Sequence, residues 1–325
     1  MGKSVEHWDK RIGRRLRLRD LHVLLTVVRS GSMAKAARNL SVSQPAISKA
    51  MTDLEHILGV RLLDRGPQGV QATVYGDALV RRGLAVFGEL QQAVADIAFI
   101  ANPASGDVNV GRNESLAASL MPAVVEQLAS HHPGIAVHLR PMTRPITQEI
   151  RHLRERSVDF IVGRGLFQVP ENDLNSEVLF EEPLRVVAGA TSSWAKHRKL
   201  QLADLLEAKW IMYPPDEAPG TLVTQAFLQK GLPVPRATVT TSSFHVREAL
   251  LRRSDYLTVV PACMLRVFNT DRLRIKALPL DLGVGMRPVA VFTLKHRTMH
   301  PAADIVIESV RAAARTIDPG TRNRN

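Results

Sequence analysis

The sequence predicts an α/β protein with a winged helix-turn-helix, a long linker helix and a larger C-terminal domain containing parallel sheets. Three patterns predict this fold class. Residues 18–58 carry apolar side chains at helical spacing between tight turns, residues 75–100 carry a heptad-like seam, and from residue 107 short apolar runs alternate with helical stretches. Such alternation is typical of βαβ units, whose sheets are covered on both faces.

The positive charge of the chain is concentrated near its N-terminus. The 325 residues include 43 Lys and Arg against 31 Asp and Glu, a formal net charge of +12, and residues 1–82 hold +8 of it. A basic module on a nearly neutral body suits a polyanionic partner such as nucleic acid. The charge alone is equally consistent with a basic face that contacts only solvent. The length predicts two domains or three.

Cysteine content and the N-terminal sequence limit the class of protein. Cys263 is the only cysteine, so an internal disulfide and a cysteine-based zinc site are excluded, and we expect a lone buried thiol. Residues 1–20 lack the apolar core of a signal peptide, and no uninterrupted run of about 18 apolar residues follows. We therefore expect a cytoplasmic protein that does not associate with membranes and that needs no metal or cofactor.

The first module is predicted to contain three helices, over residues 21–30, 33–40 and 44–58. Each repeats apolar side chains at intervals of three and four residues. Their ends carry typical capping and breaking residues: Gly31, Ser32, Ser43, Pro45 and Gly59. Two short helices joined by a tight turn, with the second one capped, describe a helix-turn-helix.

The third helix leaves four polar side chains for its solvent face: Gln44, Ser48, Lys49 and Thr52. Glutamine can pair with adenine, lysine with guanine or phosphate, and serine or threonine with either base. The N-terminus of the helix also favours phosphate. A three-helix interaction domain with a polar face remains the alternative.

A wing is predicted after the third helix. Residues 60–65 and 70–73 form two short strands around the Gly/Pro-rich turn of residues 66–69. Arg65, at the turn, could reach a phosphate or the minor groove. An arginine in a turn can equally well contact only solvent.

The first module resembles the N-terminal domain of LysR-type transcriptional regulators, almost continuously over residues 18–79. The resemblance is carried by the runs GSMAKAA (residues 31–37), LSVSQPAISK (residues 40–49) and LGVRLLDR (residues 58–65). It implies that Gln44, Pro45, Ser48 and Lys49 face DNA bases and that Arg65 contacts the backbone or minor groove. With the N-cap Ser43 and the exposed Thr52, these residues form the predicted DNA-binding set. The family usually has arginine at Lys49, and lysine lacks the planar fork that pairs with guanine.

The stretch from Tyr75 to about Ile100 is predicted to be one helix with an a/d seam. Apolar or small residues recur in steps of four and three, at Leu79, Gly83, Val86, Leu90, Ala93, Ile97 and Ile100. A helix packed on its own globular domain would show the same stripe. The resemblance favours a dimerisation helix, since LysR-type proteins pair through this segment and commonly form tetramers. The expected assembly is a homodimer or a homotetramer.

The C-terminal part is predicted to contain alternating strands and helices. The expected strands are 108–110, 135–139, 160–162, 184–188, 210–212, 237–240, 256–260 and 288–294. The expected helices are 116–129, 146–155, 202–206, 222–230, 244–252 and 302–315. Ligands of such folds bind beyond the carboxyl ends of the strands.

Residues 107–316 resemble, more weakly, the effector domain of the same family, a relative of periplasmic binding proteins (type 2) with two α/β subdomains. The resemblance implies an effector in the cleft between the subdomains. Matching positions give the predicted effector-binding set: Asn113, Ser115, Arg164, Thr221, Ser242 and Ser243. Arg164 would pair with a carboxylate, although an arginine at a strand end can also be only solvated. Asn113 and Ser115 could instead belong to an ordinary turn and helix cap.

The domain boundaries follow from these patterns and from the resemblance. Residues 1–75 form the DNA-binding domain and residues 76–104 form the linker helix and hinge. The effector domain covers 105–320, divided into subdomain I at about 105–181 and 281–320 and subdomain II at about 182–280. The acidic pair at residues 181–182 is expected to lie in a loop near the crossing between the subdomains.

The sequence favours a regulator over an enzyme or a transport protein. None of its histidines lies in a recognisable catalytic or metal-binding motif, so no catalytic residue is predicted. A free-standing solute-binding protein would fit residues 107–316, but the helix-turn-helix argues against it. The predicted partners are a double-stranded DNA operator and a small-molecule effector, either a sugar or an aromatic or other carboxylic acid. Activation and repression both remain open.

Overall fold

The computed structural model describes residues 15–66, 69–102, 105–142, 146–165, 173–215, 218–268, 275–284, 287–295 and 297–317. These residues form two compact units. The first unit contains the described residues up to Val94, with 154–156. The second contains the remaining described residues from Ala95 onward.

The first unit begins with the three predicted helices: α1 (Leu18–Ser30), α2 (Met33–Asn39) and α3 (Gln44–Leu58). Their caps are as predicted. Gly31 and Gly59 end α1 and α3 with φ of 63° and 71°, and the Ser43 hydroxyl accepts a hydrogen bond from the backbone N–H of Ala46. The apolar stripes meet in one core, whose fully buried members include Leu24, Val27, Ala36, Ile47, Met51 and Leu54.

The predicted wing is a hairpin of β1 (Leu63–Gly66) and β2 (Gly69–Ala72), paired antiparallel. Its turn residues 67–68 lie outside the described residues. The carboxylate of Glu55 on α3 accepts hydrogen bonds from the backbone N–H groups of Leu62 (2.8 Å) and Leu63 (3.2 Å). At the other strand, the backbone N–H of Val70 donates to the carbonyl of Gly31 (2.9 Å). These bonds fix the wing against the helices.

The linker stretch is one helix, α4 (Val74–Ala101), as predicted. Its seam divides into two parts. Leu79 packs on the core of the first unit, and a Cβ at Gly83 would lie 2.5 Å from the Leu21 side chain. The later part, with Val94 added, forms the exposed apolar stripe of α4. Its side chains are 43–76% exposed: Val86, Leu90, Val94, Ile97 and Ile100. By length and composition alone this helix could cross a membrane, but a single such helix is weak evidence, because a core helix of a soluble protein passes the same test.

The second unit contains two mixed sheets. The first has the strand order β4-β3-β5-β12-β6, in which β3, β4 and β5 are parallel and β12 is antiparallel to both β5 and β6. Its strands are β3 (Ser105–Arg112), β4 (Gly134–Pro141), β5 (Phe160–Arg164), β6 (Leu174–Glu182) and β12 (Arg287–Leu294). The helices between and after them are α5 (Glu114–Ser119), α6 (Met121–His131), α7 (Ile146–Arg154) and α11 (Pro301–Ile317). The apolar faces of α6 and α11 pack on one face of this sheet.

The second sheet has the strand order β11-β7-β10-β8-β9, in which β8, β9 and β10 are parallel and β7 is antiparallel to its neighbours. Its strands are β7 (Leu184–Gly189), β8 (Lys209–Met212), β9 (Ala237–Thr240), β10 (Tyr256–Pro261) and β11 (Ile275–Ala277). The helices around it are α8 (Ala218–Gln229), α9 (Phe244–Arg253) and α10 (Met264–Phe268). Trp210 and Phe227 are fully buried and pack edge to face in its core.

Several sequence expectations are wrong in detail. Both sheets are mixed rather than parallel. Strands β6 and β11 and helix α10 were not expected, and the predicted helix 116–129 is divided at Leu120, where Pro122 follows. Residues 202–205 form a 3₁₀ turn. The acidic pair Glu181-Glu182 ends strand β6 instead of lying in a loop.

Candidate functional site

The exposed face of α3 carries the predicted DNA-binding residues. Gln44, Pro45, Lys49 and Thr52 are exposed, whereas Ile47 lies on the opposite face in the core. Alternation of this kind at helical spacing separates a core side from a free polar side. The free side presents amide, ammonium and hydroxyl groups that can donate or accept hydrogen bonds at the edges of bases.

The wing arginine lies beside this face. Arg65 is exposed, and its guanidinium Nη1 lies 3.5 Å from the hydroxyl of Ser48, which is half-buried on α3. The Ser43 hydroxyl is committed to the helix cap, and the Thr52 hydroxyl donates to the Ser48 carbonyl (3.0 Å). The structure therefore brings Arg65 and the α3 residues to one surface.

A second cluster lies at the carboxyl end of β5. Arg164, the last residue of this strand, donates a hydrogen bond to the Ser115 hydroxyl (2.5 Å), and its Nη1 lies 3.5 Å from the Asn113 side-chain oxygen. Its Nη2 forms an ion pair with the carboxylate of Glu182 and lies 3.6 Å from the sulfur of Cys263. Three of the predicted effector-binding residues therefore meet at one place.

Glu182 joins the two sheets at this cluster. It ends β6 of the first sheet, its side chain is 5% exposed, and its second carboxylate oxygen accepts the backbone N–H of Cys263 (2.8 Å). Cys263 follows β10 of the second sheet. The sequence did not identify Glu182 as a site residue because it stands in a polar, largely exposed strand.

The remaining predicted residues lie near the carboxyl ends of β8 and β9. The Thr221 hydroxyl donates to the carbonyl of Pro215 (3.1 Å), and the Ser243 hydroxyl caps α9 by accepting from Val246 (3.4 Å). These described bonds are local, and neither joins the Arg164 cluster. Ser242 is exposed beside Ser243. Because β8, β9 and β10 are parallel, their carboxyl ends and Cys263 share one edge of the sheet.

Arg247 is a buried cation at the same edge that sequence reasoning missed. It is 3% exposed, and its guanidinium carbon lies 4.2 Å from the ring centre of Tyr213, with a hydrogen bond to the Tyr213 hydroxyl. Its nitrogens also approach the carbonyls of Ser243 (3.4 Å) and Ser242 (3.5 Å). Stacking on an aromatic ring and bonding to carbonyls stabilise the charge. An arginine inside an amphipathic helical stretch was the only available signal.

Comparison with known proteins decides the family. Residues 18–77 match the profile of the bacterial regulatory helix-turn-helix protein, lysR family, and residues 101–315 match that of the LysR substrate binding domain. The chain is a LysR-type transcriptional regulator. Members of this family bind DNA and are regulators rather than enzymes. Within the described residues, no group of His, Cys, Asp and Glu side chains could hold a metal ion.

Relatives and solved structures align with this LysR-type regulator over almost its whole length. It is 29% identical to the HTH-type transcriptional regulator GbpR of Azospirillum brasilense over 304 residues, covering 93% of this chain and 88% of GbpR. A full-length OxyR variant from Pseudomonas aeruginosa shares the fold with a TM-score of 0.66 at 22% identity, covering 95% and 99% of the two chains. Full-length CbnR complexed with its target DNA gives a TM-score of 0.63 at 20% identity, covering 92% and 100%.

The thiol of Cys263 in this LysR-type regulator is expected to be unreactive in the native protein. Burial, together with the neighbouring charge of Glu182, raises the pKa of Cys263 to about 12. The thiolate is the reacting form, so modification by a disulfide reagent at about pH 8 should be at least about 1,000-fold slower than in the urea-unfolded chain. Stopped-flow absorbance with such a reagent measures both rates. Comparable rates would show that the side chain is accessible and its pKa ordinary.

Proposed function

We propose that this LysR-type regulator recognises an operator through α3 and the wing, and that a small molecule bound in its C-terminal domain controls this binding. Residues 1–75 would form the DNA-binding domain, 76–104 the pairing helix and hinge, and 105–320 the effector domain, with subdomain I at about 105–181 and 281–320 and subdomain II at about 182–280. The protein would act in the cytoplasm. The position of Arg65 beside the exposed α3 face is the observation that supports operator recognition most directly.

The proposed DNA contacts divide between bases and backbone. Gln44 and Lys49 stand free on the exposed side of α3, where their side chains can reach base edges. Pro45 and Thr52 lie on the same side, and Ser48 and Arg65 form its wing-side border. Arg65 and the N-terminus of α3, capped by Ser43, suit phosphate contacts, which position a protein on DNA but carry little sequence information.

Gln44→Ala should cost about 1–3 kcal/mol of binding free energy on the operator and leave non-specific binding nearly unchanged, because a base contact, unlike a phosphate contact, discriminates between sequences. Fluorescence anisotropy with an operator selected from random DNA, and with scrambled DNA of equal length, measures both. His56→Ala, an exposed change in the last turn of the same helix, is the matched control. An equal loss of binding free energy on the two DNAs would show that Gln44 does not contact a base.

Pairing of two chains would place two recognition helices on the operator. The exposed apolar stripe of α4 supports a homodimer, and further contacts could build a homotetramer. A dimer reads two half-sites in successive major grooves, so we expect an imperfect inverted repeat.

The effector would bind where the two sheets meet. Asn113, Ser115 and Arg164 converge at the end of the first sheet, and the bond between Glu182 and Cys263 joins this cluster to the edge of the second. Thr221, Ser242 and Ser243 would complete the site from the loops of that edge. The two sheets would adopt two arrangements that differ in affinity for the effector. Effector binding would favour one arrangement and thereby change how the paired DNA-binding domains are placed. The anisotropy assay, repeated with candidate small molecules, tests this part of the proposal. A compound that changes operator affinity would support it.

A further inference from the structure

Arg112 carries buried hydrogen-bond donors that lack partners. It is the last residue of β3, its side chain is 16% exposed, and its Nε and Nη1 are buried without a hydrogen-bond partner in the described part of the chain. The Nε of Arg164 is likewise buried and lacks a hydrogen-bond partner among the described residues. Since buried donors are normally satisfied and unsatisfied ones destabilise the fold, three such donor nitrogens near one edge require a reason.

The two arginines project from the same face of the first sheet. β3 and β5 are parallel neighbours, and Arg112 is paired with Val162. Side chains two positions apart on a strand share a face, so Arg164 lies next to Arg112 along that face. Ser115 on α5 already bonds to Arg164 there. Both guanidinium groups therefore stand at the carboxyl edge, where ligands of such sheets bind.

Among the described residues, buried carboxylates do not balance the charges at this edge. Arg164 has Glu182 as a partner, whereas Arg112 approaches the carboxylate of Glu114, which lies 3.8 Å from Nη1 and is 59% exposed. That separation is too long for a hydrogen bond, and an exposed carboxylate is strongly screened by water. Within the part of the chain that the structure describes, two largely buried guanidinium groups are thus paired with one buried carboxylate.

We propose that the effector is an organic acid whose carboxylate binds between Arg112 and Arg164, with Arg112 as a cationic anchor. The carboxylate would accept the free N–H groups of Arg112 and the Nε–H of Arg164, and it would supply the missing negative charge. A neutral sugar could accept these hydrogen bonds but would leave the charge uncompensated. The inference rests on the proposed effector function and narrows its two ligand classes to one.

Matched acid and amide pairs test the ligand class on the full-length protein. Benzoate with benzamide, succinate with succinamide, and neutral galactose are each added at about 10 mM, and melting temperature and operator binding are measured. We expect at least one carboxylate to raise the melting temperature by about 2 °C or more while its amide has no effect. Equal shifts with acid and amide, a shift with galactose alone, or no shift with any carboxylate would overturn the inference.

Arg112→Met tests the anchor in two ways. Without added acid, this variant should melt at the same temperature as the wild type or higher, because it removes unsatisfied buried donors. With acid, it should need at least about tenfold more of the active carboxylate for the same shift. Arg140→Met, an exposed arginine on the neighbouring strand β4, is the matched control and should respond like the wild type. A lower melting temperature of Arg112→Met together with an unchanged acid response would show a purely structural role.

The same measurements separate this inference from the proposed function. If galactose or an amide changes operator binding, the effector function stands and only the ligand class fails. If no compound changes operator binding while Gln44→Ala still loses operator discrimination, effector control fails and DNA recognition stands.

Discussion

Leu90→Arg is expected to leave the protein monomeric and to weaken operator binding by about 100-fold or more. Leu90 is 44% exposed in the middle of the apolar stripe of α4, between Val86 and Ile97. In a pair of such helices this side chain would be covered by the partner, and an arginine there would be an unpaired charge in an apolar interface. Loss of pairing removes the second recognition helix, and with it the gain in affinity from two linked contacts.

Sedimentation equilibrium measures the mass of the variant, and anisotropy measures its affinity for the operator. Gln91→Arg is the control, because Gln91 is exposed one position along the same helix and off the stripe. It introduces the same charge with no expected effect on mass. If the Leu90→Arg protein is still a dimer or a tetramer, the chains pair through another surface, and the apolar stripe of α4 is not the dimer interface.

The first unit could be predicted almost completely because its signals are local. The caps at Ser43, Gly31 and Gly59 and the alternation of core and polar residues on α3 act within one or two helical turns. The wing was recognised from its Gly/Pro turn, although its bonds to Glu55 and Gly31 required the structure. Local physical chemistry therefore determined both the element types and most of their ends.

The edge strands of the second unit could not be predicted from their sequences. β6 stands at the edge of its sheet and is mostly exposed, so it lacks the apolar run that marks a buried strand. β11 is likewise an edge strand, only three residues long. Without β6 in the prediction, the acidic pair at its end is assigned to a loop, and the antiparallel strand pairs of the first sheet are missed.

The candidate effector site was predicted in part for a similar reason. Asn113, Ser115 and Arg164 follow strands at positions where ligand-binding loops are expected, and the structure brings them together. Glu182 and Arg247 act through partners far away in the sequence, Cys263 and Tyr213 respectively. A single sequence contains no local signal for such pairings, and burial of a charged side chain becomes visible only in the fold.

Arg297→Met is expected to destabilise the second unit by about 3–5 kcal/mol, because it leaves a buried carboxylate without the guanidinium group that pairs with it. Arg297 and Asp159 are 5% and 11% exposed, and the guanidinium lies 2.6 Å from the carboxylate. The same guanidinium donates to the carbonyls of Val158 (3.0 Å) and Asp159 (3.3 Å), ahead of strand β5. The backbone N–H of Asn109 donates to the other oxygen of Asp159 (2.8 Å), which links the pair to β3.

Urea unfolding followed by tryptophan fluorescence measures this effect, since both described tryptophans, Trp194 and Trp210, belong to the second unit. Arg311→Met is the control: it breaks an ion pair with Glu177 whose side chains are 33% and 47% exposed, and should cost about 1 kcal/mol or less. The double change Asp159→Asn with Arg297→Met should recover part of the loss. Equal losses for Arg297→Met and Arg311→Met would contradict a buried pair.

The loss in Arg297→Met should also depend on pH. Burial by itself would raise the pKa of Asp159, but the interaction with His300, the backbone N–H of Asn109 and the charge of Arg297 lower it below the ordinary carboxyl value. A carboxyl whose pKa is lowered on folding stabilises the fold above its unfolded-state pKa, about 3.9, and this contribution disappears as the pH falls through the folded-state value. The difference between wild type and Arg297→Met should therefore be largest near neutral pH and shrink below about pH 4. A difference that stays constant from about pH 2 to pH 7 would show that lost packing, and not the unpaired charge, causes the destabilisation.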